Sequence, residues 1–519
     1  MKTALKILVS SMLLANMSVY ATDLTEPIKT QAGSVQGTYN DDQSVKIFRG
    51  IPYAKAPLGE LRWHSPQPTD SWDGIKQTTQ FQEACYQVQN GGVLPWTSEF
   101  LHNDAISEDC LYLNIWSPVQ SDSAKKPVVV YIHGGGFVEG SGSISIYDGE
   151  NLAKEGVVYI TLNYRLGEMG FLAATDLNDA EDATGNYGLE DQIAALKWIK
   201  DNVAQFGGDA DNITIMGQSA GANSVLTLNL SPLTDGLFAK SVIESSSPTF
   251  YHSGLDGEAL LTSRMTSLTY EQKVAKTDAY LQQKGIKVAD LKTMPAEEII
   301  KLFNRREVPV TPAIDGKVLD KTMYEILTTT QRHTGPIMLG VNKDETSGFI
   351  PSYRTDTQAD FDQYIARSYP SSAQQIAELF PAKSIKELNR QENLYATHTL
   401  SKLLASYTGN KVYTYYFDQD VSWKAQAAYG TFHTAEVPFI LKTLDKVDGP
   451  VTADQHKASD IFSGHLVQFA KSGNPSFGDH QWQPSDAQPD WLYSISSQPQ
   501  MTQPQLSEPQ LKAIARFGQ

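Results

Sequence analysis

Apolar positions along the chain fall into two kinds of run. Pro127-Val128-Val129-Val130-Tyr131-Ile132 is an unbroken block rich in β-branched residues, and Val157 to Asn163 is a second. Blocks of this length and composition predict strands buried on both faces, as in parallel sheets. Between this second block and the next apolar strand, Asn212 to Met216, the pattern changes. Leu189, Ile193, Leu196, Ile199 and Val203 recur at steps of four, three, three and four, which predicts an amphipathic helix ended by Gly207-Gly208. Strand, crossover helix and strand make the repeating unit of a parallel sheet. Pro336 to Val341 and Lys411 to Phe417 read as further strands.

The flanking regions read differently. Val35 to Thr38 and Val45 to Phe48 predict a hairpin about Asn40-Asp41-Asp42, and Leu111 to Ile115 another short strand. Residues 253–334 and 352–410 are mostly helix-prone with one polar face. Ala458 to Ala470 predicts an amphipathic helix ending at Gly473, and Gln498 to Gln510 a surface strand and turn before a last short helix. No internal repeat is visible.

Composition narrows the function classes. With 40% hydrophobic and 10% aromatic residues, the 519-residue chain can bury a sizeable core. The 42 Lys and Arg against 59 Asp and Glu leave a formal charge of −17, which argues against a nucleic-acid partner. Lys2 and Lys6 precede an apolar run from Ile7 to Leu14, and Val19-Tyr20-Ala21 offers a cleavage site before Thr22. This is the pattern of an export signal over residues 1–21. The run is too short to span a bilayer, so no stable membrane anchor is expected. The expected location is periplasmic or secreted, and the expected state a monomer or weak oligomer. The two cysteines, Cys85 and Cys110, are most simply one disulfide in such a chain, with two buried thiols as the alternative. No metal-site spacing is present.

Candidate chemistry centres on Ile213-Thr214-Ile215-Met216-Gly217-Gln218-Ser219-Ala220-Gly221. Gly-x-Ser-x-Gly between a strand and a helix is the context of a nucleophile elbow, which makes Ser219 the candidate nucleophile. The glycines fit a strained turn that a Cβ would block, and the following helix aims its amide end at developing negative charge. The block ending at Ile132 runs into His133-Gly134-Gly135-Gly136-Phe137. Three glycines after a buried strand leave N–H groups open to a ligand, and with Ala220 they suit an oxyanion hole. Neither a P-loop nor a dinucleotide fingerprint is present. His133 reads as a residue that packs beneath this loop rather than a base.

Several of these stretches together resemble the type-B carboxylesterases, the family that includes bacterial carboxylesterases and the cholinesterases. The likeness is carried by Phe48 to Ala54, Ser107-Glu108-Asp109-Cys110-Leu111-Tyr112-Leu113-Asn114, the His133 to Phe137 loop and Asn163-Tyr164-Arg165-Leu166-Gly167. It continues through Gly185-Asn186-Tyr187-Gly188-Leu189-Glu190-Asp191-Gln192, Phe206-Gly207-Gly208-Asp209 and the elbow. It is dense over residues 30–250 and returns near 337–349 and 429–440.

The resemblance implies an α/β-hydrolase fold: a large, mostly parallel sheet with helices on both faces. It implies one catalytic domain over residues 22–519, with helical insertions over the active site at about 253–334 and 352–410. It also implies a triad in the order serine, acid, histidine. From chemistry alone Asp344 or Glu345 could orient an imidazole; in the family the second carboxylate of such a pair is the acid, hence Glu345. Gly430-Thr431-Phe432-His433-Thr434-Ala435-Glu436 is similar to the family's histidine loop, making His433 the base and Glu436 structural. Cys85 and Cys110 match the family's first disulfide, and Arg62 with Glu108 and Arg165 with Asp191 match internal ion pairs. Ser245 is similar to a second serine below the triad. Three departures stand out: Gln218 replaces a common Glu, while Ser246 and Thr346 replace Gly.

The implied activity is hydrolysis of small-to-medium, mostly uncharged esters through an acyl-enzyme. Ser219 attacks, His433 moves the proton, Glu345 orients His433, and Gly135, Gly136 and Ala220 hold the oxyanion. No metal or organic cofactor is required. Phe137, Phe250, Tyr251, Phe349 and Phe439 could line the pocket or belong to the core. Trp96 could be a cation site or wall packing. A lipase with long-chain preference and a non-catalytic binding relative are the alternatives.

Overall fold

The structure is a computed structural model that describes residues 23–514, apart from 89–91, 120–123, 180–181, 247–267, 304–306, 330–331, 333–334 and 487–490. The export signal, Phe250 and Tyr251 lie outside the described residues.

Eleven strands form the main sheet. In chain order they are β1 (Thr38–Tyr39), β2 (Val45–Pro52), β3 (Tyr112–Pro118), β4 (Lys126–Ile132), β5 (Val158–Leu162) and β6 (Gly208–Gln218). Then come β7 (Lys240–Glu244), β8 (Ile337–Asn342), β9 (Val412–Phe417), β10 (Leu492–Ile495) and β11 (Gln500–Thr502). Across the sheet the order is β11-β10-β9-β8-β7-β6-β4-β5-β3-β2-β1. The strands from β10 to β5 pair in parallel, and the pairs at both edges are antiparallel. Strand order reverses between β4 and β6, the place where open α/β sheets open a crevice at their carboxyl ends.

Both faces of the sheet are buried, and the pleat divides the side chains between them. Val128, Val130 and Ile132 of β4 join one core, and Val129 and Tyr131 the other. The first core takes its helical cover from Tyr187–Asn202 through Leu189, Ile193, Leu196 and Ile199. Ala220–Leu230 and the long helix Ile385–Thr408, through Ala396, Leu400 and Leu404, complete that layer. The opposite face carries Ala453–Ser472 through Ala458, Phe462, Leu466 and Phe469. Gly473 closes that helix at φ +74°.

The two helix-prone segments build smaller cores of their own. Tyr270–Lys284 and Ala296–Leu302 pack with Trp63, Leu172 and Tyr187. Gln358–Ser368 and Ala373–Leu379 pack with Ala513 and Ile514 near the C-terminus. Segment 352–410 therefore divides: its first part forms this satellite, while Ile385–Thr408 lies on the sheet.

The expected N-terminal hairpin is split. Thr38–Tyr39 pairs with β2, but Ser34–Gln36 belongs to a separate three-stranded sheet with Ile28–Lys29 and Ile75–Gln77. The break falls at Gly37, where a Cβ would stand 2.1 Å from the Ile47 carbonyl oxygen. Cys85 and Cys110 form a disulfide, a closure worth on the order of 3 kcal/mol. Arg62 meets Glu108 through two hydrogen bonds, and Arg165 grips the fully buried Asp191 at 2.8 Å through both Nε and Nη2.

Candidate active site

Strands β4 and β6 end side by side, with Ile132 paired to Gly217, so the glycine loop and the serine elbow emerge together. Ser219 is held at φ +58°, ψ −121°, a region costly for any residue with a Cβ. Its N–H donates to the Glu244 carbonyl at 2.9 Å, and its carbonyl accepts from Asn223 at 3.0 Å. The flanking glycines are steric requirements. A Cβ on Gly221 would lie 2.0 Å from the Ile132 oxygen, and one on Gly217 would lie 2.6 Å from the Gly221 backbone. The helix Ala220–Leu230 begins at the next residue, where the first N–H groups have no intrahelical acceptor.

The glycine loop lies against the elbow. A Cβ on Gly134 would come 3.1 Å from Ser219 Cβ, and Gly135 and Gly136 adopt φ of +99° and +63°. Val138 and Glu139 donate to the Gly135 carbonyl, closing the turn. Among the described residues the N–H groups of Gly135 and Gly136 donate to no protein acceptor. His133 is buried beneath, its Nδ1 2.9 Å from the Gly134 oxygen and its ring stacked on Tyr164 at 4.5 Å. Burial pushes its pKa down to about 4, so it serves as neutral scaffold.

After β8 the chain turns through Asp344 and Glu345, and the two carboxylates part. Glu345 Oε2 lies 2.5 Å from His433 Nδ1. Its other oxygen accepts from the Asn342 N–H at 2.7 Å and from the Ser245 hydroxyl. Asp344 faces away. It takes Arg390, the Tyr353 hydroxyl at 2.8 Å and the Thr431 N–H at 3.0 Å. Thr346 closes the turn without a left-handed φ, and its hydroxyl donates to Asn389 Oδ1 at 2.5 Å.

His433 is buried at the head of its loop. The Gln218 amide nitrogen stands 3.3 Å from its Nε2 and 3.4 Å from its Nδ1. A position in the ring plane equidistant from both nitrogens would collide with Cε1, so the amide lies over the ring face. Nδ1 is thereby left to Glu345. The Trp96 indole donates to the His433 carbonyl at 3.1 Å and to Thr434 Oγ1 at 3.2 Å.

Two further carboxyls lie below. Glu436 accepts from Ser245 Oγ at 3.2 Å and from the Asn342 side-chain amide. Burial first, then the nearby Glu345, push its pKa up to about 7. Glu244 is fully buried, and among the described residues neither of its oxygens has a hydrogen-bond partner. Burial, then Glu436, push its pKa well above the usual carboxylate value.

Of the aromatic residues considered for the pocket, Phe137 and Phe439 are core. Phe137 packs edge-on against Phe171, and Phe439 against Phe417. Phe349 is 43% exposed, with its ring 5.5 Å from that of His433. Sequence reasoning missed Asn342, whose backbone and side chain serve Glu345 and Glu436; an asparagine ending a strand carries no motif of its own. Among the described residues no group of three or more His, Cys, Asp or Glu could hold a metal ion, and no helix is long and apolar enough to cross a membrane.

A mixed, mostly parallel sheet with helices on both faces, carrying a serine elbow at its switch point, defines an α/β-hydrolase fold. The sequence model of the carboxylesterase family matches residues 25–514, and the chain belongs to that family. It is a carboxylic ester hydrolase. Para-nitrobenzyl esterase of Bacillus subtilis is 32% identical over 477 residues, covering 88% of this chain and 91% of that protein. Human cocaine esterase is 30% identical over 92% of this chain and 89% of its own length. A solved structure of PNB esterase superposes with a TM-score of 0.74 at 30% identity, covering 94% of this chain and 99% of the other.

Proposed function

We propose that the protein hydrolyses small-to-medium, mostly uncharged carboxylic esters through an acyl-enzyme on Ser219. The observation that carries this reading is the 2.5 Å contact between Glu345 and His433 Nδ1, in a ring whose face is covered by the residue preceding Ser219. His433 Nε2 takes the Ser219 proton as the hydroxyl attacks the ester carbonyl. Glu345 holds the tautomer and stabilises the imidazolium. The N–H groups of Gly135, Gly136 and Ala220 bind the oxyanion, each such donor being worth ~3–4 kcal/mol of barrier. His433 then protonates the leaving alcohol, and water repeats the cycle on the acyl-enzyme. Every group in this scheme is a side chain or backbone amide, so the reading calls for no cofactor.

The reading of small, uncharged substrates is supported by Phe349 beside His433 and by the neutral Gln218 over the ring. Relatives named as para-nitrobenzyl and cocaine esterases fit esters with an aromatic group. We also infer an exported protein, from the leader-like residues 1–21 together with the Cys85–Cys110 bridge. Hydrolysis of p-nitrophenyl esters from acetate to palmitate, beside Ser219→Ala, tests the proposal. A short-chain maximum that vanishes in the variant is expected. A long-chain maximum would replace it with a lipase, and full activity in Ser219→Ala would overturn the nucleophile.

A further inference from the structure

We infer that Trp96 is a positioning residue: its indole N–H clamps the His433 loop to the acid turn and so fixes the imidazole between Glu345 and Ser219. The inference rests on the proposed role of His433 as the base.

The need for a clamp is local. Thr434, directly after His433, sits at φ +86°, a conformation that a β-branched residue adopts only when its surroundings impose it. Its backbone sets where the imidazole stands. The chain before His433 is tied to the acid turn: the Asn342 amide donates to the Phe432 carbonyl at 2.8 Å, the Asp344 N–H donates to the Thr431 carbonyl at 3.1 Å, and the Thr431 N–H donates back to the Asp344 carboxylate at 3.0 Å. The His433 carbonyl and the Thr434 hydroxyl both accept from Trp96 Nε1, at 3.1 and 3.2 Å.

The same indole is fixed on its other side by the acid turn. A Cβ on Gly348 would lie 2.8 Å from Trp96 Cη2 and 2.7 Å from Pro95 Cδ, so the ring rests on that glycine. The Phe349 ring packs at 4.9 Å. One side chain thus touches the turn that carries the acid and the loop that carries the base. Trp96 belongs to the stretch closed by Cys85 and Cys110, which is fastened to the same neighbourhood. Gln426 donates to Thr97 Oγ1 at 2.5 Å and to Glu99 at 3.3 Å, and the Asp448 N–H reaches Glu99 at 3.3 Å. An aromatic wall for substrate has no use for an N–H aimed at the backbone behind the catalytic ring; a clamp does.

Trp96→Phe keeps an aromatic ring on Gly348 and removes the donor. With p-nitrophenyl acetate, kcat is expected to fall roughly ten-fold or more with KM unchanged, the mark of lost alignment rather than lost binding. The downfield proton resonance of His433 Nδ1–H, recorded in water, is expected to move upfield or broaden in the variant while the thermal unfolding temperature stays at the wild-type value. Unchanged kcat and resonance in Trp96→Phe would overturn the inference, as would a rise in KM at constant kcat, which marks a substrate wall. A drop in kcat that comes with a lowered unfolding temperature and an unmoved resonance would overturn it too. His433→Ala is measured in parallel: if it still turns over ester, the base assignment itself fails, whereas an inactive His433→Ala beside a fully active Trp96→Phe removes only the clamp.

Discussion

Arg390 binds Asp344 through Nε and Nη2 at 2.9 and 2.8 Å, both to the same carboxylate oxygen. This separates two adjacent carboxylates that sequence chemistry leaves equivalent. The Asp344 carboxylate is paired with a cation and accepts from the Tyr353 hydroxyl and the Thr431 N–H, while Glu345 keeps an oxygen for His433. Glu345→Gln is therefore expected to lower kcat by about 10³–10⁴-fold with folding intact, as loss of a triad carboxylate does elsewhere. Asp344→Asn is expected to act chiefly on stability, because it leaves Arg390 without its partner. Steady-state kinetics and thermal unfolding of the two variants side by side check the division; a larger catalytic loss in Asp344→Asn would reverse it.

Ser245 supplies the second test. Its hydroxyl reaches Glu345 Oε1 and stands 3.2 Å from Glu436, so it steadies the acid from below. A hydrogen bond to a charged group contributes about 1.5–3 kcal/mol, so Ser245→Ala is expected to reduce kcat roughly ten-fold or more while KM holds. Activity at the wild-type level would make Ser245 a spectator.

Glu436 makes stability depend on pH. Its pKa is raised from 4.5 to about 7 in the folded protein, so the native state holds the proton more tightly than the unfolded chain. The favourable contribution is complete below pH 4.5 and is lost as pH rises towards 7. Glu436→Gln cannot titrate. The difference in unfolding temperature between variant and wild type is expected to shift in the variant's favour across that window and to level off above it. A difference independent of pH would refute the assignment.

Lys273 is buried, which pushes its pKa down to about 7, and its Nζ donates to the carbonyls of Phe171 and Thr311 at 2.7 Å and of Gly185 at 3.3 Å. It docks the helix Tyr270–Lys284 onto the main body. Lys273→Met leaves those carbonyls unsatisfied and is expected to cost about 2–4 kcal/mol in stability, read from the denaturant midpoint. At low temperature kcat should equal that of the wild type.

How much of this was legible in the sequence follows the physics of each element. The inner strands announce themselves because burial on both faces demands continuous apolar blocks, and the Ser219 elbow because its steric requirements force glycines at fixed offsets. The hairpin forms about Asn40-Asp41-Asp42, but its first strand breaks at Gly37, since a close backbone approach from β2 leaves no mark beyond a glycine. Residue type does not distinguish Phe137 and Phe439 from Phe349; only packing separates the two buried rings from the exposed one. The resemblance pointed to Glu345 over Asp344, but the physical reason, Arg390 on Asp344, lies on a helix remote in sequence. Gln218 was visible as a departure from the family pattern, but its place over the imidazole face depends on a residue 215 positions away.

That separation has a consequence for how the protein is made. The serine elbow and the glycine loop are complete once β6 and its helix have formed, yet the acid and the base arrive only with β8 and the loop after β9. On the proposed triad, a chain still being synthesised would carry its nucleophile with nothing to activate it. Hydrolytic activity is then expected only when the last third of the polypeptide docks, so that ester turnover in a refolding experiment would report completion of the whole sheet rather than formation of its first half.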